Sequence, residues 1–280
     1  MQQSDQRTME EWGFPSCVLM EKAALAVAER VSSLLSKEAG PILAVCGNGN
    51  NGGDGIAAAR LLYLKGYDAR ILMAMGEEHL SSECKRQLSI ARTIGVPFVS
   101  ENVPVEGMAG LLDALFGIGL SRPIEGRLAL LLSRMNACQG LKLAVDIPSG
   151  VDANRGAILG SAFEADETVT MAYEKIGEAL YPGKGCCGKL TVADIGIYLK
   201  EESFSRQRLG LLEEKDISWI FEREASGNKG TFGKVLLVAG SYGMAGASIL
   251  ASQAALRAGA GMAKVVTVPE NLLADRKSVV

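Results

Sequence analysis

The sequence predicts an α/β protein in which an open parallel sheet carries helices on both faces. Three observations support this prediction: short apolar runs alternate with segments of helical periodicity, glycine-rich turns follow two of these runs, and a D-I-P-S-G sequence ends a third. Strands of parallel sheets are near-continuous apolar runs because helical crossovers cover both faces. We therefore expect a Rossmann-like three-layer sheet with ligands at the carboxyl ends of its strands.

The predicted elements follow from apolar spacing and from residues that start or stop helices. Ser81 is a typical helix N-cap, and Gly66 and Gly95 are typical of helix ends. In chain order, the predictions are a helix from 15 to about 36, a strand at 42–46, a helix at 55–66, a strand at 69–74, a helix from 81 to about 93, a short strand at 96–99, a strand at 111–116, a helix at 125–138, and strands at 142–146, 168–171 and 189–195.

A second pattern begins after a charged segment, residues 200–215, that we interpret as a linker or a surface helix. A strand at 234–239, a glycine-containing loop, an alanine-rich helix to about 258 and a strand at 263–268 form one βαβ unit. One such unit leaves sheet edges unpaired and has too little core to fold alone. We therefore expect a first domain at 1–215 and the opening part of a second, incomplete domain at 216–280.

Composition argues against several classes of function. The net charge is −3, so no broad basic face predicts binding to nucleic acid. No apolar run approaches the roughly 20 residues that span a bilayer, and the polar start is unlike a secretory signal. We expect a cytoplasmic protein that does not bind membranes. Its six cysteines include no C-x-x-C pair, which favours reduced core thiols, and its single histidine, His79, makes a histidine-based triad unexpected.

Residues 47–55 hold five glycines, three asparagines and Asp54 directly after an apolar strand. At a strand-to-helix turn, glycines let the backbone approach a ligand, and free amides at the helix start attract phosphate. Asp54 would repel a phosphate unless a cation or a hydroxyl group lay between them. A P-loop is excluded because G-K-[ST] does not occur here. The segment thus predicts a different nucleotide site, with a tight turn that binds nothing as the alternative.

Two further acids lie in or at the end of predicted strands. Asp113 interrupts an apolar strand, where a carboxylate is costly without a cation or several donors. The loop that follows adds Ser121 and Arg122, a hydroxyl and a cation suited to phosphate. Asp146 begins the D-I-P-S-G sequence at the carboxyl edge of the sheet, where such sheets bind ligands. The alternative for Asp146 is a cap of the turn.

The joint presence of N-N-G-G-D-G and D-I-P-S-G resembles the bifunctional NAD(P)H-hydrate repair enzymes. In that family a YjeF N-terminal type epimerase domain precedes an ADP- or ATP-dependent dehydratase domain. Other matching segments are 7–8, 18–21, 117–123, 181–183 and 192–196 in the epimerase part, and 229–233, 240–241 and 254–261 at the start of the dehydratase, a ribokinase-like fold.

The resemblance implies a substrate, NADHX or NADPHX, whose R and S forms the first domain would interconvert. It implies potassium ligands, Asn51, Asp113 and Ser149, whose oxygen donors suit a hard cation. ADP or ATP would serve only a complete dehydratase, so we expect no dehydratase activity here, and a homo-oligomer is left open. The implied substrate-binding residues are Asn50, Asn51, Gly52, Gly53, Asp54, Gly117, Ile118, Gly119, Leu120, Ser121, Arg122, Pro123 and Asp146.

Asp146 and Lys175 are the candidate catalytic residues. Inverting the carbon that bears the hydroxyl requires breaking and remaking its bond to oxygen, or opening the ring, and both routes need a proton carrier. We expect Asp146 to be that carrier and Lys175 to steer charge or aid proton transfer, with a solvated surface lysine as the alternative. The sequence departs from the family at Lys22, Ala23 and Ala24, where Asn and Gly are common after Met-Glu, which would alter either the floor of the pocket or only the surface of the helix. It departs again at Asn228, where histidine is usual.

Two other functions remain open from the sequence. An NAD(P)-binding oxidoreductase would use the G-x-G-x-x-G spacing of residues 47–52, with Glu77 or Glu78 at the ribose, but it leaves Asp113 unexplained. A non-catalytic scaffold on the epimerase fold would not need Asp146 beside a set of cation ligands.

Overall fold

A computed structural model describes residues 9–197, 210, 212 and 225–273. The chain divides into two compact units, Met1–Leu209 and Gly210–Val280, and each is described by itself. The domain limit drawn from the sequence at 215/216 stays a prediction, because residues 213–224 are outside the described part. The same holds for the charged segment at 200–215, of which only Gly210 and Leu212 are described.

The first unit contains a six-stranded sheet in which every neighbouring pair is parallel. Each strand has five residues, and all residues of β1, β3 and β5 are buried, as a sheet covered on both faces requires. The order across the sheet is β2-β1-β3-β4-β5-β6. The strands are β1 (Ile42–Cys46), β2 (Ala69–Met73), β3 (Gly110–Ala114), β4 (Leu141–Val145), β5 (Glu167–Met171) and β6 (Lys189–Ala193).

Four longer helices and two single-turn helices connect or flank these strands. The helix stop and start signals act as predicted: Ser81 Oγ accepts a hydrogen bond from the Cys84 amide, and Gly95 ends the same helix at φ 88°. No helix in the described ranges combines the length and apolar character needed to cross a bilayer. The helices are α1 (Ser16–Leu34), α2 (Asn50–Leu64), α3 (Ser82–Ile94), α4 (Gly126–Asn136), α5 (Ile176–Ala179) and α6 (Gly183–Cys186).

Helices cover both faces of the sheet, which confirms the predicted fold class. Ile42, Ala44 and Cys46 of β1 join one apolar core with residues of α1, α2 and α3. Leu43, which points to the opposite face, joins a second core with Leu131 and other residues of α4. This alternation along one strand is the period of two that β geometry imposes.

The strand order reverses direction at β1. The chain runs from β1 outward to β2 and then returns across β1 to form β3 on the other side. Connections that leave neighbouring strands in opposite directions open a crevice at the carboxyl ends of those strands. The sequence predicted a site at this edge of the sheet, and the topology places the crevice between β1 and β3.

Three predicted elements differ from the structure. Helix α2 begins at Asn50, so the residues expected to form a turn at 50–54 are its first helical turns. Glycines occur within this helix because its first turns pack closely against the ends of the strands. A Cβ on Gly52 would lie 2.0 Å from the Gly47 carbonyl oxygen, and one on Gly55 would lie 2.3 Å from Ala114 Cβ. Glycine therefore lets the helix start lie directly on the sheet. The strand expected at 96–99 is a single bridge to β2, and β3 ends at Ala114.

The described part of the second unit is one parallel βαβ motif, as predicted. It contains β7 (Lys234–Val238), α7 (Ala245–Arg257) and β8 (Met262–Val266). Apolar side chains remain exposed within it, including Val238 at 78% and Leu236 at 63%. Such exposure is unlike β1, β3 and β5 of the first unit, whose residues are all buried.

Candidate functional site

A cleft of about 470 Å³ opens in the first unit at the carboxyl ends of β1, β3 and β4. One wall is the loop after β1 and the first turns of α2, and another is the loop after β3. Helix α1, which precedes the first strand, contributes apolar residues to a third wall. Eight of the residues expected to bind substrate line this cleft: Asn50, Asn51, Asp54, Gly117, Ile118, Gly119, Leu120 and Asp146.

The other expected site residues occupy different positions. Gly52 and Gly53 are buried in the packing of α2, where a Cβ on Gly53 would lie 2.7 Å from the Met20 methyl carbon. Asp113, Ser149 and Lys175 are buried and do not line the cleft wall. Ser121, Arg122 and Pro123 are exposed on the continuation of the loop after β3.

Asn51 is the least satisfied polar side chain at this site. Both its Oδ1 and its Nδ2 atoms are buried, and neither has a hydrogen-bond partner among the described residues. A Cβ built on Gly117 would lie 3.2 Å from Asn51 Cγ and 3.2 Å from Asp146 Oδ2, so these two side chains flank the same glycine. Because an unpaired buried amide is costly, Asn51 has the environment of a ligand-binding group.

Asp113 at the end of β3 is fully buried, and three donors from its own chain satisfy it. Ser149 donates from its backbone N to Oδ2 and from Oγ to Oδ1, both at 2.7 Å, and the Leu115 amide donates to Oδ1 at 3.2 Å. Desolvation nevertheless raises the pKa of Asp113 to about 6, against the lowering effect of these bonds. The Phe116 amide also donates to Ser149 Oγ, at 2.9 Å, which joins the two loops.

These residues can supply oxygen ligands to a monovalent cation. The described residues contain no group of three or more His, Cys, Asp or Glu that could hold a metal ion. The donor set of an amide, a carboxylate and a hydroxyl is of the hard type that such ions prefer. A carboxylate has about four acceptor sites, so Asp113 retains one beyond its three hydrogen bonds.

Asp146 holds an unusual backbone conformation at the end of β4. Its φ of 71° is in the left-handed region, which costs energy for a residue other than glycine and is found most often at functional sites. Its amide donates to the Val169 carbonyl oxygen at 2.9 Å, which keeps the turn attached to β5. Oδ1 accepts from Lys175 Nζ at 2.5 Å, while Oδ2 is the atom beside Gly117 in the cleft.

Lys175 is buried behind Asp146, so the alternative of a solvated surface lysine is wrong. Only 7% of the residue is exposed. Besides Asp146, its ammonium contacts Thr170 Oγ1 at 2.5 Å and the Met171 carbonyl oxygen at 3.2 Å. An ammonium has three donors, and here each one has an acceptor.

Sequence reasoning missed Glu178, which is 2% exposed. Its Oε2 atom accepts from Thr170 Oγ1 at 3.0 Å and from the Lys175 amide at 2.6 Å. Burial raises the pKa of Glu178 to about 7, although Lys175 and the hydrogen bonds act in the opposite direction. The available signal was its position three residues after Lys175, which places it at the third residue of α5.

Sequence reasoning missed the contribution of α3 to the cleft and left open whether residues 22–24 of α1 reach it. Leu19 and Ala23 line it, as does Glu83, which accepts from Ser16 Oγ at 2.7 Å. The departure at residues 22–24 is therefore partly within the site, because Ala23 is in the wall. Lys22 lies instead beside Gly196, whose Cβ position is 2.8 Å from Lys22 Nζ.

Comparison with known proteins gives consistent matches to one family. A family profile described as "YjeF-related protein N-terminus" matches residues 16–177. An NAD(P)H-hydrate epimerase from Oenococcus oeni is 44% identical over 194 residues, which are 69% of this chain and 92% of that protein. A bifunctional NAD(P)H-hydrate repair enzyme Nnr from Moorella thermoacetica is 36% identical and covers 94% of this chain, which spans 52% of that protein's length.

Among solved structures, the crystal structure of yeast YNL200c shares the fold with a TM-score of 0.59 at 23% identity. The match covers 68% of this chain and 83% of the yeast chain.

Proposed function

The chain belongs to the YjeF-related family of NAD(P)H-hydrate epimerases, and we propose that the cleft of its first unit is where the R and S forms of NADHX and NADPHX interconvert. The observation that carries this assignment of the site is the meeting of two unusual side chains. Asp146 is an acid in a left-handed conformation, and Asn51 is a buried amide without a partner in the described structure. Both flank Gly117 in a cleft formed by elements of a nucleotide-binding type.

We propose that the first turn of α2 and the loop after β3 bind the diphosphate and riboses of the substrate. Asn50 and Asn51 begin the helix, and its first amides lack acceptors within the helix and attract an anion. Gly117 and Gly119 in the opposite loop allow close approach of the substrate. Exposed Arg122 would supply a cation at the rim of the site.

Asp146 is the proposed proton carrier at the hydroxyl of the hydrated ring. Its Oδ2 atom faces the cleft while Lys175 holds Oδ1, so one oxygen is fixed and the other faces the space where the substrate would bind. Whether the carbon–oxygen bond breaks or the ring opens, a proton given to the substrate in one half of the cycle returns in the other. The reaction then leaves the enzyme and the number of protons unchanged.

We further propose that Asn51, Asp113 and Ser149 hold a potassium ion. The proposal is supported by their oxygen chemistry and by Asn51 Oδ1, which is buried without a donor among the described residues. When bound, the ion would offset the charge of the diphosphate and of the nearby carboxylates. A bound cation would also allow Asp54, a second acid in the cleft wall, to lie close to the diphosphate.

The test is the substitution Asp146→Asn with Asp152→Asn as a matched control. Asp152 is also buried after β4, but it bonds to Arg155 and does not line the cleft. Exchange of purified epimers, followed by chromatography and corrected for the uncatalysed rate, should be lost in the first variant and kept in the second. Undiminished exchange in Asp146→Asn would remove Asp146 from the mechanism.

Family membership decides against the oxidoreductase and the non-catalytic scaffold considered from the sequence. Dehydratase activity is a separate matter, because relatives that match the second unit are about twice as long as this chain. We expect the 280-residue chain to give no ADP- or ATP-dependent return of NADPH from its hydrate. Absorbance at the NADPH band measures this directly, and a steady nucleotide-dependent rise would contradict it.

A further inference from the structure

We propose that Glu178 is a positioning residue of the epimerase site, which holds Lys175 against Asp146 through Thr170 and sets the charge balance around that pair by its own charge. This inference rests on the proposed function of the cleft. Glu178 does not line the cleft, so it acts only through the other three side chains.

The direction of the hydrogen bonds establishes the connection. Lys175 Nζ only donates, so the Thr170 hydroxyl 2.5 Å away must accept from it. The hydrogen of that hydroxyl is then left for Glu178 Oε2, at 3.0 Å. Lys175 Nζ also donates to Asp146 Oδ1. The four side chains thus form one continuous chain of bonds from a buried acid to the acid in the cleft.

The two oxygens of Glu178 are not equivalent. Oε2 receives two donors, the Thr170 hydroxyl and the Lys175 amide. Oε1 is buried and has no partner within the described residues. A proton on this carboxyl therefore belongs on Oε1, because Oε2 is already an acceptor twice. Glu178 can gain or lose that proton without breaking either bond that positions Lys175.

Charge balance explains why this proton matters to Asp146. Within the described structure, the charged groups that act on Glu178 are Lys175 and Asp146, and the neighbouring Cys187 thiol stays neutral because burial raises its pKa to about 12. With both acids ionised, one ammonium faces two buried carboxylates. With Glu178 protonated, Lys175 and Asp146 form a balanced pair. The charge of Glu178 therefore decides whether the Lys175 ammonium is shared between two carboxylates or balances Asp146 alone.

The first test compares Glu178→Gln with Glu167→Gln. Glu167 is a control buried to a similar extent on β5, but it bonds to Arg30 and Thr191 and has no bond to Lys175. The pH profile of kcat for the wild type should contain an inflection near pH 7, where the pKa of Glu178 lies. The inflection should disappear in Glu178→Gln, with KM changed less than about twofold, and should remain in Glu167→Gln. An unchanged profile in Glu178→Gln would overturn the proposal.

The second test detects the proton without turnover. The infrared carbonyl band of a protonated carboxyl, taken as the wild type minus Glu178→Gln difference, should titrate near pH 7. A band that titrates near the ordinary value for glutamate would overturn the inference, even in an active epimerase. A band that titrates near pH 7 in a chain without epimerase activity would instead contradict the proposed function.

Thr170→Val provides a second variant in case Glu178→Gln does not fold. It removes only the bridging hydroxyl and keeps the shape of the side chain. We expect kcat to fall at least tenfold with little change in KM, because Lys175 loses one of its three acceptors. Wild-type kcat in this variant would overturn the proposed bridge.

Discussion

Two groups of side chains at and behind the cleft hold buried acids in different ways. In the region proposed to bind the ion, called the ion-binding region and defined as Asn51, Asp113 and Ser149, the carboxylate of Asp113 is satisfied by neutral donors, and the Asn51 amide has no partner among the described residues. In the region proposed to transfer the proton, called the proton-transfer region and defined as Asp146, Lys175, Thr170 and Glu178, the Lys175 ammonium bonds to Asp146 and has an acceptor for each of its three donors. The comparison teaches that a buried carboxylate held by neutral donors keeps an uncompensated negative charge, whereas one beside an internal ammonium belongs to an ion pair.

The largest expected effect comes from removing the internal cation with Lys175→Met. Two buried carboxylates would then lack their counter-charge, which costs about 3–5 kcal/mol of unfolding free energy and should lower kcat by roughly 10²-fold or more. Denaturant unfolding and epimer exchange measure the two effects. Lys184→Met is the matched control, because Lys184 is exposed on α6, and it should leave both quantities unchanged. Wild-type kcat in Lys175→Met would mean that the proton-transfer region does not depend on the Lys175 ammonium.

Asp113→Asn tests the ion-binding region. An amide in place of the carboxylate presents an NH₂ group to donors, so at least one of the donors from Ser149 and Leu115 loses its acceptor. We expect a loss of about 2–3 kcal/mol in stability and the loss of any rise in melting temperature caused by potassium with NADP. A variant that keeps the potassium response would exclude Asp113 as a ligand.

The proton-transfer region should also make stability depend on pH. The pKa of Glu178 rises from an ordinary 4.5 to about 7 on folding, so the folded state keeps a proton that the unfolded state has lost between these values. Stability therefore falls as pH rises from about 4.5 to 7, by about 3 kcal/mol in total.

Glu178→Gln removes this dependence because an amide does not titrate. Relative to the wild type, the variant should gain stability between pH 5 and pH 8, as measured by denaturant unfolding at both values. If the variant shows the same difference in unfolding free energy between pH 5 and pH 8 as the wild type, then groups other than Glu178 cause the pH dependence.

The smallest expected effect on stability comes from Asn51→Ala. Its amide makes no hydrogen bond within the described residues, so truncation should change the unfolding free energy of the free protein by less than about 1 kcal/mol. The same change should abolish any rise in melting temperature caused by potassium with NADP, if Asn51 is a ligand as proposed. A large loss of stability without ligand would show that Asn51 has a structural role.

Much of the fold could be predicted because its signals are local. The strand β1 is an unbroken apolar run of five residues, and Ser81 and Gly95 limit α3 where the sequence places them. The acids at 113 and 146 could be selected because a charged residue in or after a buried strand requires an explanation. The start of α2 was placed five residues too late, because glycines normally interrupt helices and only their contacts with Gly47 and Ala114 explain their presence.

Burial of Lys175 and Glu178 could not be predicted in the same way. Lys175 lies 29 residues from Asp146 along the chain, and nothing adjacent in sequence shows that the two meet. The position of α1 at the cleft could not be predicted either, because it depends on packing between α1 and α2, which are distant in sequence. The ion pair between Glu21 and Arg60 contributes to this packing.

The sequence by itself determined the order of strands and helices, the glycine-rich turns and the acids at the edge of the sheet. These depend on propensity and periodicity within a few residues. Only the tertiary structure decided that the crevice lies between β1 and β3, that Lys175 is buried, and that Glu178 is connected to Asp146. The reason is physical: burial, hydrogen-bond partners and charge balance arise from chain segments that meet only after folding.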